Sequence, residues 1–328
     1  MGEIRDQYSR VIDYLRISVI DRCNLRCVYC MPSAGIEPLD HTAILSYEEI
    51  TRIARIAAGI GVTRIRLTGG EPLIRKNLVH LISSIAEING IEDISLTTNG
   101  QMLGSMADLL AEAGLGRVNV SLDSLKPDRY REITRGGDLD AALAGITAAE
   151  KAGLNPVKIN MVPINGLNDD EIEDFARLTL NGPTHVRFIE YMPIGATRFW
   201  SEAKYIPTDS IKERVEKIGP LEAVKIRRNG PARYFRFAGA PGVIGFISPL
   251  THHFCSYCNR LRLTSDGKLR PCLFSETEID LRSALRCGAA DSEIERLLRL
   301  GVEIKPDRHE LSGEKISHSR KPMSKIGG

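Results

Sequence analysis

Three cysteines stand within eight residues, Cys23, Cys27 and Cys30, in the spacing C-x3-C-x2-C. Side chains this close along the chain can turn inward to one soft-metal centre. Three thiolates would leave one iron of a four-iron cubane open to a small molecule. A structural zinc site wants four ligands, and no fourth Cys or His follows nearby. Iron–sulfur chemistry is therefore favoured over a zinc knuckle or incidental core thiols. A second triplet, Cys255, Cys258 and Cys272, reads C-x2-C-x13-C. Alone it would also pass for three-quarters of a zinc ribbon. His252 or His253 would complete such a site, although both read better as loop residues beside the cysteines. The seventh cysteine, Cys287, falls in a helix-like segment, 281–287, and is expected to be a small buried hydrophobe and not a ligand.

The elements around the first triplet form a repeat. Strand-like runs at 14–20, 63–68, 91–98, 117–123, 156–162 and 184–191 alternate with helix-like segments at 46–58, 77–89, 104–113, 139–152 and 168–180. Ser46 is a cap candidate, with Glu48 and Glu49 in the first turn behind it. This rhythm predicts a parallel sheet covered by helices, and six units fit an incomplete (β/α)6 barrel of the TIM type. No Gly-x-Gly-x-x-Gly follows the first strand, which argues against a doubly wound nucleotide-binding sheet. The rhythm stops after Gly195, so 1–195 is read as the barrel. Residues 196–328 are read as a C-terminal domain that carries the second triplet and closes the barrel.

Strand parity sharpens this. Leu15, Ile17 and Val19 share one face, whereas Tyr14, Arg16 and Ser18 share the other. Later strands split likewise, putting Arg64, Arg66, Thr97, Asn119, Ser121 and Lys158 opposite an apolar set. The apolar face must meet the helices, so the polar face lines the interior. Unpartnered buried cations are costly, which predicts a cavity that holds an anion. Arg187 is a weaker candidate, because it is placed to pair with Glu190. The strands end in the cysteine loop, Gly69-Gly70-Glu71-Pro72, Thr97-Thr98-Asn99-Gly100 and Ser121-Leu122-Asp123, and chemistry in such barrels sits at that rim.

Lys plus Arg number 44 against 42 Asp plus Glu, so no global field draws a nucleic acid polymer. No apolar run reaches membrane-spanning length, and three of the first six residues, Glu3, Arg5 and Asp6, are charged, so a cytoplasmic protein without a signal peptide is expected. Cysteines there serve as metal ligands before they serve as cross-links.

The first triplet with an aromatic before its last cysteine, followed by Gly-Gly-Glu-Pro, resembles the radical S-adenosylmethionine (SAM) superfamily. The resemblance implies a [4Fe–4S] cluster on Cys23, Cys27 and Cys30, SAM on its open iron, and contacts to SAM from Tyr29, Gly70, Ser121 and Met192. Five further stretches narrow it: Phe254-Cys255-x2-Cys258-Asn259-Arg260-Leu261-Arg262, Tyr14-Leu15-Arg16-Ile17-Ser18, Cys30-Met31-Pro32, Gly242-x2-Gly245-Phe246-Ile247 and the terminal Gly327-Gly328. Together they resemble the GTP 3',8-cyclase family of molybdenum cofactor biosynthesis. Ile20 departs from that pattern, standing where a small polar residue is expected.

The family implies that a 5'-deoxyadenosyl radical takes the ribose 3'-hydrogen of GTP and that the carbon radical attacks C8 of guanine. Reduction and protonation then give the cyclic 3',8-dihydroguanosine triphosphate. A second [4Fe–4S] cluster on Cys255, Cys258 and Cys272 would hold the base. Arg16, Arg66, Thr97, Lys158, Arg260 and Arg262 suit a triphosphate, since guanidinium forks bind phosphate oxygens in pairs. Arg16, Arg260, Arg262, Gly327 and Gly328 are the expected catalytic set, the glycine tail threading into a crowded site. Expected partners are a flavodoxin- or ferredoxin-like electron donor and cyclic pyranopterin monophosphate synthase downstream, and a homodimer is left open. A radical SAM peptide-modifying enzyme is a rival reading, but such proteins usually carry more C-terminal cysteines. A non-catalytic iron–sulfur sensor would leave the cationic interior without a purpose.

Overall fold

The computed structural model describes residues 2–194, 199–226, 230–309 and 323–327; Gly328 lies outside them. Six strands run parallel side by side in chain order: β1 (Tyr14–Ser18), β2 (Arg64–Thr68), β3 (Asp93–Thr98), β4 (Arg117–Ser121), β5 (Lys158–Met161) and β6 (His185–Ile189). The intervening helices are α1 (Tyr47–Gly59), α2 (Leu78–Ala86), α3 (Ala107–Glu112), α4 (Pro127–Thr134), α5 (Leu139–Lys151) and α6 (Ile172–Arg177). This is the expected partial barrel. Ser46 caps α1 as predicted: its hydroxyl accepts the Glu49 amide while the Glu49 carboxylate accepts the Ser46 amide at 2.7 Å. Helix α4 was not expected. It is polar apart from a stripe that buries Tyr130 and Ile133, and Pro127 opens it.

The C-terminal part adds α7 (Thr208–Glu216), β7 (Leu221–Ala223), β8 (Ala232–Phe237), β9 (Val243–Ile247), β10 (Arg260–Leu263), β11 (Lys268–Arg270) and β12 (Ile279–Asp280). Helices α8 (Leu281–Arg286), α9 (Asp291–Glu303) and α10 (Met323–Ile326) follow. Strand β9 pairs in parallel with β6, and β10 pairs in parallel with β1, so this part extends the arc at both edges. Beyond them β8–β7 and β11–β12 continue antiparallel, giving one sheet of twelve strands. No described helix is long and apolar enough to cross a membrane.

The faces sort by parity as expected. Leu15, Ile17, Ile65, Leu67, Leu96, Val118 and Val120 are wholly buried in one core with the inward residues of α1, α2 and α5. The opposite faces of the same strands line a cavity of about 680 Å³.

Candidate active site

The loop that carries the first triplet leaves β1 and is pinned from two sides. Its Arg26 and Val28 amides donate to the carbonyls of Thr134 and Ile133 at the end of α4, at 3.0 and 2.9 Å. Arg135, just past that end, donates to the carbonyls of Arg26 and Met31. On the other side the Gly70 and Glu71 amides donate to Ile20 and Arg22 at 2.7 and 2.8 Å. The resemblance implies a contact to SAM from Gly70. Gly70 also lets the backbone of this loop lie against the β2 turn, since a Cβ on it would fall 2.1 Å from the Arg22 carbonyl oxygen.

Glu71 is buried and accepts from the Thr98 hydroxyl and the Asn99 amide, each at 2.7 Å, and from the Leu73 amide. Burial outweighs those bonds and lifts its pKa to about 7. Asn99, positioned this way, aims its side-chain amide at Asn24 and, 3.9 Å away, at the Cys23 sulfur. The Tyr29 hydroxyl donates to Asp123, whose other oxygen accepts the Val162 amide at 2.9 Å. Burial takes Asp123 up to about 6.

Cys23, Cys27 and Cys30 carry no disulfide and line the cavity together with Tyr29, Gly70, Ser121 and Met192. Burial is the largest influence on all three thiols. It pushes Cys23 up to about 11 and Cys27 and Cys30 well above the ordinary value, with Cys30 and Asp123 adding to the rise at Cys27. Such thiols ionise when a metal's positive charge replaces the lost solvent.

The second triplet faces the same cavity. Cys255 opens a 3-10 turn that Cys258 closes, its amide donating to the Cys255 carbonyl at 3.1 Å, and Cys272 follows β11. Cys258 differs from the first three: burial would raise it, but Arg260, Lys305 and Arg10 outweigh that and bring its pKa to about 6. His252 bonds Asp209, and His253 engages the Pro249 carbonyl and His309, so neither faces the cysteines' cavity. Cys287 is a correction: α8 ends at Arg286, and the cysteine caps it in solvent, not in the core. Among the described residues no three His, Cys, Asp or Glu side chains converge closely enough for a single metal ion.

Between the triplets the wall is cationic. Nine Lys and Arg side chains line the cavity against four carboxylates. Register explains the crowding: Arg16 on β1 stands opposite Arg66 on β2 and Arg262 on β10. Like charges so placed repel, and burial together with Arg262 and Arg66 depresses the Arg16 pKa strongly. Burial, then Arg187, Arg117 and Arg66, lower Lys158 to about 6. Thr68 and Thr97 present buried hydroxyls without a hydrogen-bond partner among the described residues. An anion with several oxygens would relieve all of these at once.

Arg187 departs from expectation. It donates to Asn160 and Asn119 at 2.8 and 2.6 Å, facing the cavity. Glu190 is instead occupied by Thr208, Leu250 and Thr251, tying β6 to α7 and to the loop after β9. Arg64 lines the cavity as its parity predicted; Arg117 and His185 also line it, and their parity with Asn119 and Arg187 was the signal that could have found them. Tyr234, from β8, had no such signal. The described end of the tail is in place: the Arg262 guanidinium donates to the Gly327 carbonyl at 2.6 Å. Gly327 has φ +72, and a Cβ there would press on Thr68 and Ser18. Gly328 lies outside the described residues.

Residues 17–179 match the radical SAM superfamily and residues 184–311 match Molybdenum Cofactor Synthesis C. A GTP 3',8-cyclase of Moorella thermoacetica is 53% identical over 326 residues, covering 99% of this chain and 100% of that protein. The chain belongs to the GTP 3',8-cyclase family. A second member, from Thermodesulfovibrio yellowstonii, is 52% identical over 327 residues with the same coverage. Among solved structures, SuiB of Streptococcus suis bound to S-adenosylmethionine superposes with a TM-score of 0.58 at 17% identity, over 89% of this chain and 69% of that one. At that identity the likeness shows the fold alone. Membership in the radical SAM superfamily brings a [4Fe–4S] cluster and SAM as cofactors.

Proposed function

We propose that this chain is a GTP 3',8-cyclase acting in the first step of molybdenum cofactor biosynthesis. The observation that carries the reading is one cavity lined by both cysteine triplets with a cationic wall between them. Cys23, Cys27 and Cys30 hold a [4Fe–4S] cluster. When bound, that cluster and SAM supply the 5'-deoxyadenosyl radical that takes the ribose hydrogen of GTP. Gly70, Ser121, Met192 and Tyr29 flank the same end and orient SAM, with Asp123 fixing the Tyr29 ring. Cys255, Cys258 and Cys272 would hold a second [4Fe–4S] cluster, which would supply a metal anchor for the guanine base. Arg16, Arg66, Lys158, Arg260 and Arg262 bind the triphosphate, Thr97 adds a neutral donor, and Arg187 joins them.

Gly327, held by Arg262 and lying against Thr68 and Ser18, brings the end of the tail to the cationic wall. Residues 1–195 form the SAM half and 196–328 the nucleotide-anchoring half. The family resemblance supports a flavodoxin- or ferredoxin-like donor and delivery of product to cyclic pyranopterin monophosphate synthase. Anaerobically reconstituted protein given GTP, SAM and a reductant is expected to form 5'-deoxyadenosine and the cyclised nucleotide. Turnover indifferent to GTP would refute the reading.

A further inference from the structure

Both family matches begin after residue 16, yet the segment before it reaches the second triplet. Arg5 and Val11 pair across a tight turn, and Asp6 accepts the Tyr8 and Arg10 amides at 3.0 Å inside it. The same carboxylate takes Arg10 Nε at 2.6 Å, in an ion pair whose side chains are 4% and 0% exposed. The turn thus presents a preformed, buried guanidinium. Its Nη1 donates to the carbonyls of Cys255 and Asp307, each at 2.8 Å, and its Nη2 donates to Pro306 at 2.7 Å. The Cys255 carbonyl is also the acceptor for the Cys258 amide. Arg10 therefore holds the carbonyl that closes the turn from Cys255 to Cys258.

A second buried cation does the same for the third cysteine. Lys305, past the end of α9 and 2% exposed, donates from Nζ to the carbonyls of Arg260 at 2.8 Å and Pro271 at 2.7 Å. Those carbonyls lie two residues after Cys258 and one before Cys272. Both cations act through backbone oxygen and leave the sulfurs free. A buried cation is costly unless it is paired or fully hydrogen-bonded, so core packing alone does not account for two of them at one site.

We propose that Arg10 and Lys305 are positioning residues for the second triplet. They set the spacing of its three thiolates and offset the negative charge those thiolates bring when a cluster binds. This rests on the second-cluster reading above. Outer contacts of this kind are worth about 10- to 100-fold in metal affinity.

The test uses the full chain, reconstituted without oxygen, as wild type, Arg10→Met, Lys305→Met and Arg10→Lys. Iron and sulfide per chain and the Mössbauer spectrum are measured beside reductive SAM cleavage. The expected result is loss of about half the iron in each Met variant, SAM cleavage kept, and partial recovery in Arg10→Lys. Full iron content in both Met variants overturns the proposal, as does equal loss of both clusters with loss of SAM cleavage. A wild-type chain that takes only one cluster overturns the second-cluster reading itself, and that outcome is read from wild type alone.

Discussion

Replacing Gly70 by Ala should displace the loop that carries Cys23, whatever Gly70 does for SAM. The added Cβ would lie 2.1 Å from the Arg22 carbonyl oxygen, 2.4 Å from its carbon and 3.0 Å from the Asp21 oxygen. The first is about 1.3 Å short of ordinary contact, and every atom met is backbone. No rotamer change relieves it. Either the β2 turn withdraws or the Asp21–Cys23 backbone moves, and the Gly70–Ile20 and Glu71–Arg22 hydrogen bonds, at 2.7 and 2.8 Å, are strained with it. Overpacking of this kind costs about 1–3 kcal/mol, and each weakened bond adds about 1 kcal/mol. The expected outcome is a lower thermal midpoint for the metal-free chain. Iron at the first site and SAM cleavage should fall together, while iron at the second site is kept. The assay is calorimetry on the metal-free protein, followed by iron content and 5'-deoxyadenosine release after reconstitution. An unchanged midpoint with unchanged SAM cleavage would show that the turn is not tied to the cysteine loop as described.

Three further outcomes are expected. Cys258→Ala should keep reductive SAM cleavage and lose the cyclised nucleotide, whereas Cys27→Ala should lose both, as read by chromatography of the products. Arg260→Ala and Arg262→Ala should each weaken GTP binding about 10- to 100-fold, the worth of a charged hydrogen bond at 1.5–3 kcal/mol, and leave SAM binding unchanged by titration calorimetry. The third concerns Lys158, whose pKa is lowered from the ordinary 10.5 to about 6. Between those values the unfolded chain binds a proton there and the free folded protein does not, so unliganded stability rises with pH through that window and is lowest below about pH 6. A triphosphate restores the charge, so at about pH 8, above the second ionisation of phosphate, GTP binding should take up protons. Calorimetry in buffers of different ionisation heat would detect this, and an equal uptake by Lys158→Met would place the proton elsewhere.

Much of the site was legible because the period of a strand is local. Arg16, Arg66 and Lys158 alternate with Ile17, Leu67 and Ile159, and one face of each strand must go to the helices. Arg187 was misread because its nearest plausible partner along the chain, Glu190, points past the end of β6 to Thr208 and Thr251, while Asn119 lies two strands away. Helix α4 was missed because its sequence is mostly charged and its apolar stripe, Tyr130 and Ile133, is short. Cys287 was expected inside because it closes the helix-like segment 281–287, but the helix ends one residue before it.

By itself the sequence determined the chemistry available at each point. The two triplets, the cationic strand faces and the glycine turns follow from residue type and spacing over fewer than twenty residues. Only the tertiary structure decided that the two triplets share a cavity, because that depends on β9 and β10 pairing with β6 and β1 at opposite edges of the arc. It likewise decided that Arg10, 245 residues from Cys255, holds the second triplet's turn. Backbone carbonyls carry no mark of residue type, so a contact made to one across that distance leaves no trace in the order of side chains.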